Sequence, residues 1–253
     1  VPPLRLTLAA ACLAAAPIAT LAQVTVKNDG QWRALVTAGA SISSGNSDST
    51  SINLNGEAVK ATQIDKITLN AKALYVNNDG AESENRMAAG GHYQRDLNQR
   101  IFGFAQLDAL RDEPANLSSR TSVGAGVGYH VIRRDDLTFD LSTGLGYSRE
   151  RYVEPEVVDG SSRDSYNNLE LILAEESSHR LTDTTTFRQK LTLLPNLRNN
   201  DQMRAIFDAS LSVAMTSRLA LTASVSHRYD SDPGPGLKKG DTLFITGVTF
   251  RID

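Results

Sequence analysis

The sequence predicts an all-β chain: a closed antiparallel up-and-down transmembrane β-barrel of about twelve strands, preceded by a cleavable signal peptide. Three observations predict it. From Trp32 onward, stretch after stretch alternates apolar with small or polar residues, the two-residue period of a strand with one greasy face. The opposite parity is rich in Gly, Ser, Thr and Asn with charges of both signs along it, as expected of a wet, enclosed lumen. The connectors alternate between short turns and longer polar loops, the asymmetry of outer-membrane barrels.

Bulk composition sets the limits. The 253 residues suffice for one large barrel domain. A hydrophobic fraction of 40% and a mean hydropathy of −0.27 are low for a helical membrane protein. They suit a barrel, in which only every second strand residue must face lipid. With 26 basic and 29 acidic residues, the formal charge of −3 argues against a nucleic-acid partner, which needs a concentrated basic surface.

The expected division is a signal peptide over residues 1–22 and a barrel over 23–253. Arg5 supplies the positive start, Leu6–Ala16 the apolar core, and Thr20-Leu21-Ala22 a small-residue cleavage site. That core is shorter than the roughly 20 residues of a spanning helix. The single cysteine, Cys12, falls inside it, and lipidation there is the weaker reading because Ala9-Ala10-Ala11 lacks the usual leucine. Cleavage leaves no thiol for disulfides or thiolate–metal sites.

Val24–Gln31 forms a short polar lead. The first strand, Trp32–Ser43, puts Trp32, Ala34, Val36, Ala38, Ala40 and Ile42 on one face, and Gly45-Asn46-Ser47-Asp48 turns the chain. The second, Thr50–Lys60, alternates Ile52, Leu54 and Ala58 against Asn53, Asn55 and Glu57. The third, Lys66–Val76, sets Ile67, Leu69 and Tyr75 against Lys66, Thr68 and Lys72. The fourth, Asn85–Arg95, sets Met87, Ala89 and Tyr93 against Arg86, Gly90 and His92. The fifth, Ile101–Leu110, is mixed: Phe102 and Phe104 share a parity with Gln106 and Asp108, and its faces stay unassigned.

The sixth, Thr121–Val131, interleaves Val123, Ala125, Val127 and Tyr129 with Gly124, Gly126 and Gly128. The seventh, Leu137–Arg149, opposes Phe139, Leu141, Leu145 and Tyr147 to Asp140, Ser142, Gly144 and Gly146. In the eighth, Asn167–Ser178, Leu169, Leu171 and Leu173 oppose Glu170, Ala174 and Glu176. The ninth, Thr185–Leu194, sets Phe187, Leu191 and Leu193 against Arg188, Lys190 and Thr192. The tenth, Met203–Ala214, sets Phe207, Leu211 and Val213 against Arg204, Asp208 and Ser210. In the eleventh, Leu219–Asp230, Leu221, Val225 and Tyr229 oppose Ser224, Arg228 and Asp230. The twelfth, Thr242–Ile252, sets Phe244, Val248 and Phe250 against Gly247, Thr249 and Arg251.

Long polar loops are expected at Asn77–Glu84, Arg111–Arg120, Tyr152–Ser165, Pro195–Gln202 and Ser231–Asp241, with short periplasmic turns between them. A soluble β-sandwich or lipocalin-like barrel would also alternate. Aromatics near strand ends on the apolar parity favour the membrane: Trp32, Tyr75, Tyr93, Phe139, Tyr147, Tyr229 and Phe250 resemble a girdle at two bilayer interfaces.

The inward charges are nearly balanced, which favours an internal salt-bridge lattice over a selective filter. Arg111, Asp112, Arg188, Arg204, Asp208, Arg228 and Asp230 are the candidates for lumen or strand-end ion pairs. No catalytic, cofactor or metal residue is assigned. His92, His130, His179 and His227 lack metal-ligand spacing. Ser178-His179 and Ser226-His227 place their side chains on opposite faces, so neither dipeptide is a dyad. The Gly-x-Gly runs lack a following helix to present phosphate-binding amides, and inward glycines instead let other side chains cross the lumen. Solvation accounts best for the acidic clusters Asp79, Glu82, Glu84 and Glu154, Glu156, Asp159, Asp164.

The segments Ala40–Thr50, Asp108–Arg120, Val123–Tyr129, Thr143–Tyr147 and Arg228–Asp241, the last containing Arg-Tyr-Asp-Ser-Asp-Pro, resemble the salt-induced outer-membrane protein family. Its defining domain is of unknown function, and the likeness covers nearly all of the chain beyond the signal peptide. The resemblance implies an outer-membrane barrel without established enzymatic activity and carries over no catalytic residue. It marks Arg111, Asp112, Arg228 and Asp230 as strand-end ion pairs shaping the loops. Barrels usually end in an aromatic that the assembly machinery reads, and here Phe250 would serve from a shifted position.

The expected role is structural or that of a passive pore in a bacterial outer membrane, linked to salt or osmotic stress. The alternatives are a membrane-embedded hydrolase of lipid or lipopolysaccharide, tested at His227, and an adhesin acting through Val153–Arg163. Expected partners are outer-membrane lipids and lipopolysaccharide, the barrel-assembly machinery during biogenesis, and small solutes. No cofactor or nucleic acid is expected, and the barrel is expected to be a monomer.

Overall fold

The structure, a computed structural model, describes residues 26–44, 49–78, 81–158, 161–199, 202–233 and 238–252. The expected signal peptide with Cys12, the turn at 45–48, and Asp79 and Asp159 lie outside the described residues, as do the side chains of Tyr75, Glu82 and Glu84.

Twelve strands form one antiparallel sheet that closes on itself. They are β1 (Trp32–Ser44), β2 (Ser49–Ala61), β3 (Asp65–Asn78), β4 (Ala81–Asp96), β5 (Ile101–Asp112), β6 (Leu117–Arg133), β7 (Leu137–Val158), β8 (Ser161–Arg180), β9 (Thr185–Pro195), β10 (Met203–Ala214), β11 (Leu219–Asp230) and β12 (Gly240–Ile252). Each pairs with its successor, and β12 returns to β1 from Ala34↔Ile252 to Ser44↔Thr242. Lipid offers the backbone no hydrogen bonds, so closure leaves no strand edge unsatisfied.

The two parities separate as the alternation predicts, with the greasy one outside. Val127, Leu141 and Leu211, which a water-soluble globule would bury together, are 51%, 45% and 40% exposed. Ser148, Asn168, Glu170 and Thr249, of the other parity, are buried. This inversion marks a barrel whose outer solvent is lipid. Trp32, Tyr93, Tyr129 and Phe250 lie exposed toward the end with short turns, and Tyr147 toward the opposite end.

Two expectations need revision. Three of the long loops are mostly strand. β3 and β4 continue to Asn78 and from Ala81, β7 and β8 to Val158 and from Ser161, and β5 and β6 are joined by one 3-10 turn, Glu113–Ala115. Beyond the bilayer both faces of a hairpin meet water, so the hydropathy alternation fades while the backbone pairing continues. The fifth strand, whose faces the sequence left open, points Phe102 and Phe104 inward with Gln106 and Asp108. These rings pack with Ile172 and the partly buried Leu194 against one wall of the lumen. Glycines on β6 make the room. A Cβ on Gly126 would lie 2.8 Å from the Phe104 ring, and one on Gly128 would fall among the ring atoms of Phe102.

A chain of hydroxyls crosses the closing seam on the inner wall. Ser212 on β10 meets Thr222 on β11 at 3.0 Å, Thr222 meets Thr249 on β12 at 2.8 Å, and Thr249 meets Thr37 on β1 at 2.7 Å.

Candidate functional site: the charged lumen

The inward parity collects most of the ionisable side chains of the strands around a cavity of about 580 Å³. Its lining runs from Val26 in the lead before β1 to Asp241 at the start of β12. Three tiers of polar contacts divide it.

The tier at the loop end is a dense network. Arg204 grips Glu170 with both Nε and a terminal nitrogen, at 3.0 and 2.6 Å, and lies 3.9 Å from Glu150. Glu150 accepts from Arg120 Nε at 2.7 Å, the Tyr152 hydroxyl at 3.1 Å and Asn168 Nδ2 at 3.4 Å. Ser148 donates to Glu170 at 3.3 Å, and Asn196 donates to Asn168 at 2.9 Å. Both glutamates are buried, so only this many charge-assisted donors make their ionised forms tolerable. Beside them Arg86 reaches Asp112 at 2.7 Å and Asp241 at 3.7 Å.

The middle tier spans the lumen. Lys72 on β3 meets Asp208 on β10 at 3.9 Å, and Glu57 on β2 meets Arg188 on β9 at 3.6 Å. Four strands separate the members of each pair along the shorter way around the barrel, so these are contacts across the lumen. Lys190 pairs more locally with Glu176 at 3.8 Å.

At the turn end His130 sits between Asp140, at 2.7 Å, and Asp96, at 3.2 Å, with its ring 4.7 Å from that of Phe102. Arg133 adds a 2.7 Å contact to Asp96. The lead is clasped to the barrel. Gly30, with φ of 75°, donates its amide to the Ala61 carbonyl at 2.8 Å, and Asp29 accepts from Arg33 at 2.6 and 2.9 Å. That guanidinium, with the Gln31 amide, holds the Asp29 carboxyl well below the usual carboxylate range.

The seven ion-pair candidates are thus dispersed. Asp112, Arg188, Arg204 and Asp208 face the lumen, each paired with a residue of another strand. Arg111 points outward and bonds to Glu113, so it does not meet its neighbour Asp112. Arg228 and Asp230 share the inward face of β11. Among the described residues neither has an ion pair, and Asp230 accepts the Asp232 amide at 3.1 Å. Arg111 and Asp112 face opposite sides of β5 and pair with Glu113 and Arg86 near that strand's end, not with each other.

Sequence reasoning missed Glu150, Tyr152 and Arg120. For two of them the signal is present, since Glu150 and Tyr152 continue the inward parity of Asp140–Ser148 beyond Arg149. Of the histidines, His92 stacks on Phe104 with centroids 5.7 Å apart, and His227 bonds to Thr242 at 2.8 Å on the outward face. His179 meets Ser177, two residues away, at 3.2 Å, and that serine is only 3% exposed.

A protein-family profile described as "Protein of unknown function, DUF481" matches residues 36–252. The chain belongs to this family. A search of curated protein sequences finds no match. Among solved structures, the NanC porin aligns at 13% identity over 86% of this chain and 100% of its own, with a TM-score of 0.55. The translocator domain of the autotransporter NalP from Neisseria meningitidis aligns at 13% identity over 90% of this chain and 91% of its own, with a TM-score of 0.51. At such identities the likeness is one of fold. Together with the closed sheet and its apolar exterior, that porin-like fold places this DUF481 chain in a bacterial outer membrane.

Proposed function

We propose that the chain is a narrow passive channel for small hydrophilic solutes, non-enzymatic and monomeric, with its short turns toward the periplasm. One observation carries the reading: a charged cavity follows the lumen and is narrowed where Lys72–Asp208 and Glu57–Arg188 meet across it. A twelve-strand interior lies between the filled eight-stranded barrel and the open porin, which suits a constricted passage. Outer-membrane lipid and lipopolysaccharide surround the barrel, and the barrel-assembly machinery inserts it. A link to salt or osmotic stress follows from the resemblance noted above, and impaired growth of a deletion strain in high salt would support it.

Planar-bilayer recording tests the channel. Small discrete conductance steps are expected, growing in a Lys72→Ala/Asp208→Ala variant because both arms of one crossing pair are gone. Silence from both proteins would overturn the proposal in favour of a sealed scaffold.

A further inference from the structure

Inside the barrel most guanidinium groups find a carboxylate, whereas two on the outer face of β7 have none among the described residues. Arg149 and Arg151 occupy successive outward positions on β7, directly beyond Tyr147. Both are exposed, and neither has a hydrogen bond or ion pair among the described residues. Successive outward residues on a strand lie roughly 6.5–7 Å apart, so the two cations repel each other unless an anion joins them.

Their surroundings are polar donors without negative charge. Arg149 lies between Thr121 on β6 and Asn167 on β8, and Arg151 between Ser119 and Ser165. Below them the wall is greasy, with Leu145 57% and Tyr147 42% exposed. An outward tyrosine at that place sits at headgroup level. With strands tilted about 45°, the two arginines stand roughly 5 and 10 Å above it, where the charged heads of the outer leaflet lie.

We propose that Arg149 and Arg151, with the hydroxyl and amide side chains flanking them, bind the phosphate groups of a phosphorylated glycolipid of the outer leaflet. A guanidinium fork matches a phosphate bidentately, and Ser, Thr and Asn suit the sugar to which the phosphate is attached. The acyl chains then lie along the apolar wall formed by Val123, Leu145 and Leu171, so charge and grease meet one ligand in the right order. Arg111 contributes less because Glu113 already occupies it.

The inference rests on the orientation proposed above, loop end outward. Labelling of a Val153→Cys variant by a membrane-impermeant thiol reagent on intact cells reports that orientation separately. Conductance plays no part, so a silent bilayer leaves this site standing.

The test uses the full barrel in detergent and native mass spectrometry, with bisphosphorylated lipid A as probe. Wild-type protein is expected to hold lipid A about tenfold more tightly than an Arg149→Gln/Arg151→Gln variant. Lipid A stripped of its phosphates should bind the unaltered barrel as weakly as intact lipid A binds the variant. Arg149→Lys/Arg151→Lys should retain part of the affinity, and all variants should keep heat-modifiable gel mobility because both residues are exposed. Equal retention of intact and dephosphorylated lipid A by the unaltered barrel, a comparison needing no substitution, would overturn the proposal. So would complete displacement by millimolar inorganic phosphate, which would mark a site for the free ion.

Discussion

Phe102 and Phe104 are tolerated inside a polar lumen because the facing strand has no side chains where their rings lie. Gly128→Ala forces the Phe102 ring out of place and should destabilise the barrel by about 1–3 kcal/mol, the usual range for overpacking. A urea midpoint in detergent checks this, and Phe102→Leu added to Gly128→Ala should restore much of the loss. Charge follows a different rule, set by burial. Arg204→Met leaves Glu170 buried without its principal partner, takes one of two nearby guanidinium groups from Glu150, and should cost about 3–5 kcal/mol in the same measurement. Asp208→Ala removes a 3.9 Å contact whose side chains are 47% and 40% exposed, and should cost less than about 1 kcal/mol. Equal losses from these two variants would contradict the burial argument. Asp29 has a depressed pKa, so its contribution is present above the ordinary carboxylate range and is lost only as pH falls through its lowered value. The Asp29–Arg33 clasp should therefore survive at pH 4, read as continued protection of the Gly30 amide from hydrogen exchange.

Among elements, the extended β7–β8 hairpin is the one least visible in the sequence. The outward apolar parity stops at Tyr147 and charges follow, so the sequence reads as a strand ending at Arg149, whereas pairing resumes from Glu156↔Arg163 to Val158↔Ser161 after an irregularity. Asn116 ties this projection to the base of β6. It adopts φ of 56°, a conformation Asn tolerates, its side chain bonds to the Glu154 amide and carbonyl and to Glu156, and its carbonyl accepts from Val153. Asn116→Ala should raise the rate of proteolytic cleavage within Val153–Arg163 several-fold while leaving heat-modifiable mobility unchanged. Unchanged cleavage would mean that strand pairing alone holds the hairpin.

At the scale of the whole molecule, the cavity lining carries twelve carboxylates against nine Lys and Arg side chains among the described residues. Many are already neutralised in pairs, so a modest preference for cations is expected, seen as the sign of the reversal potential in a salt gradient. An anion-directed potential would show that Lys66, Lys72 and Lys190 dominate the path instead.

The sequence by itself determined the strands, their order and, outside β5, which parity faces lipid, because a two-residue period is local and each strand pairs with its neighbour. It also placed Arg188, Arg204 and Asp208 toward the lumen. What it left open was decided by closure. That Lys72 meets Asp208, that Glu57 meets Arg188, and that the rings of Phe102 and Phe104 nest against glycines depend on barrel circumference and on the register accumulated around twelve strands. No short window of residues encodes those distances, since the partners come together only when the last strand returns to the first.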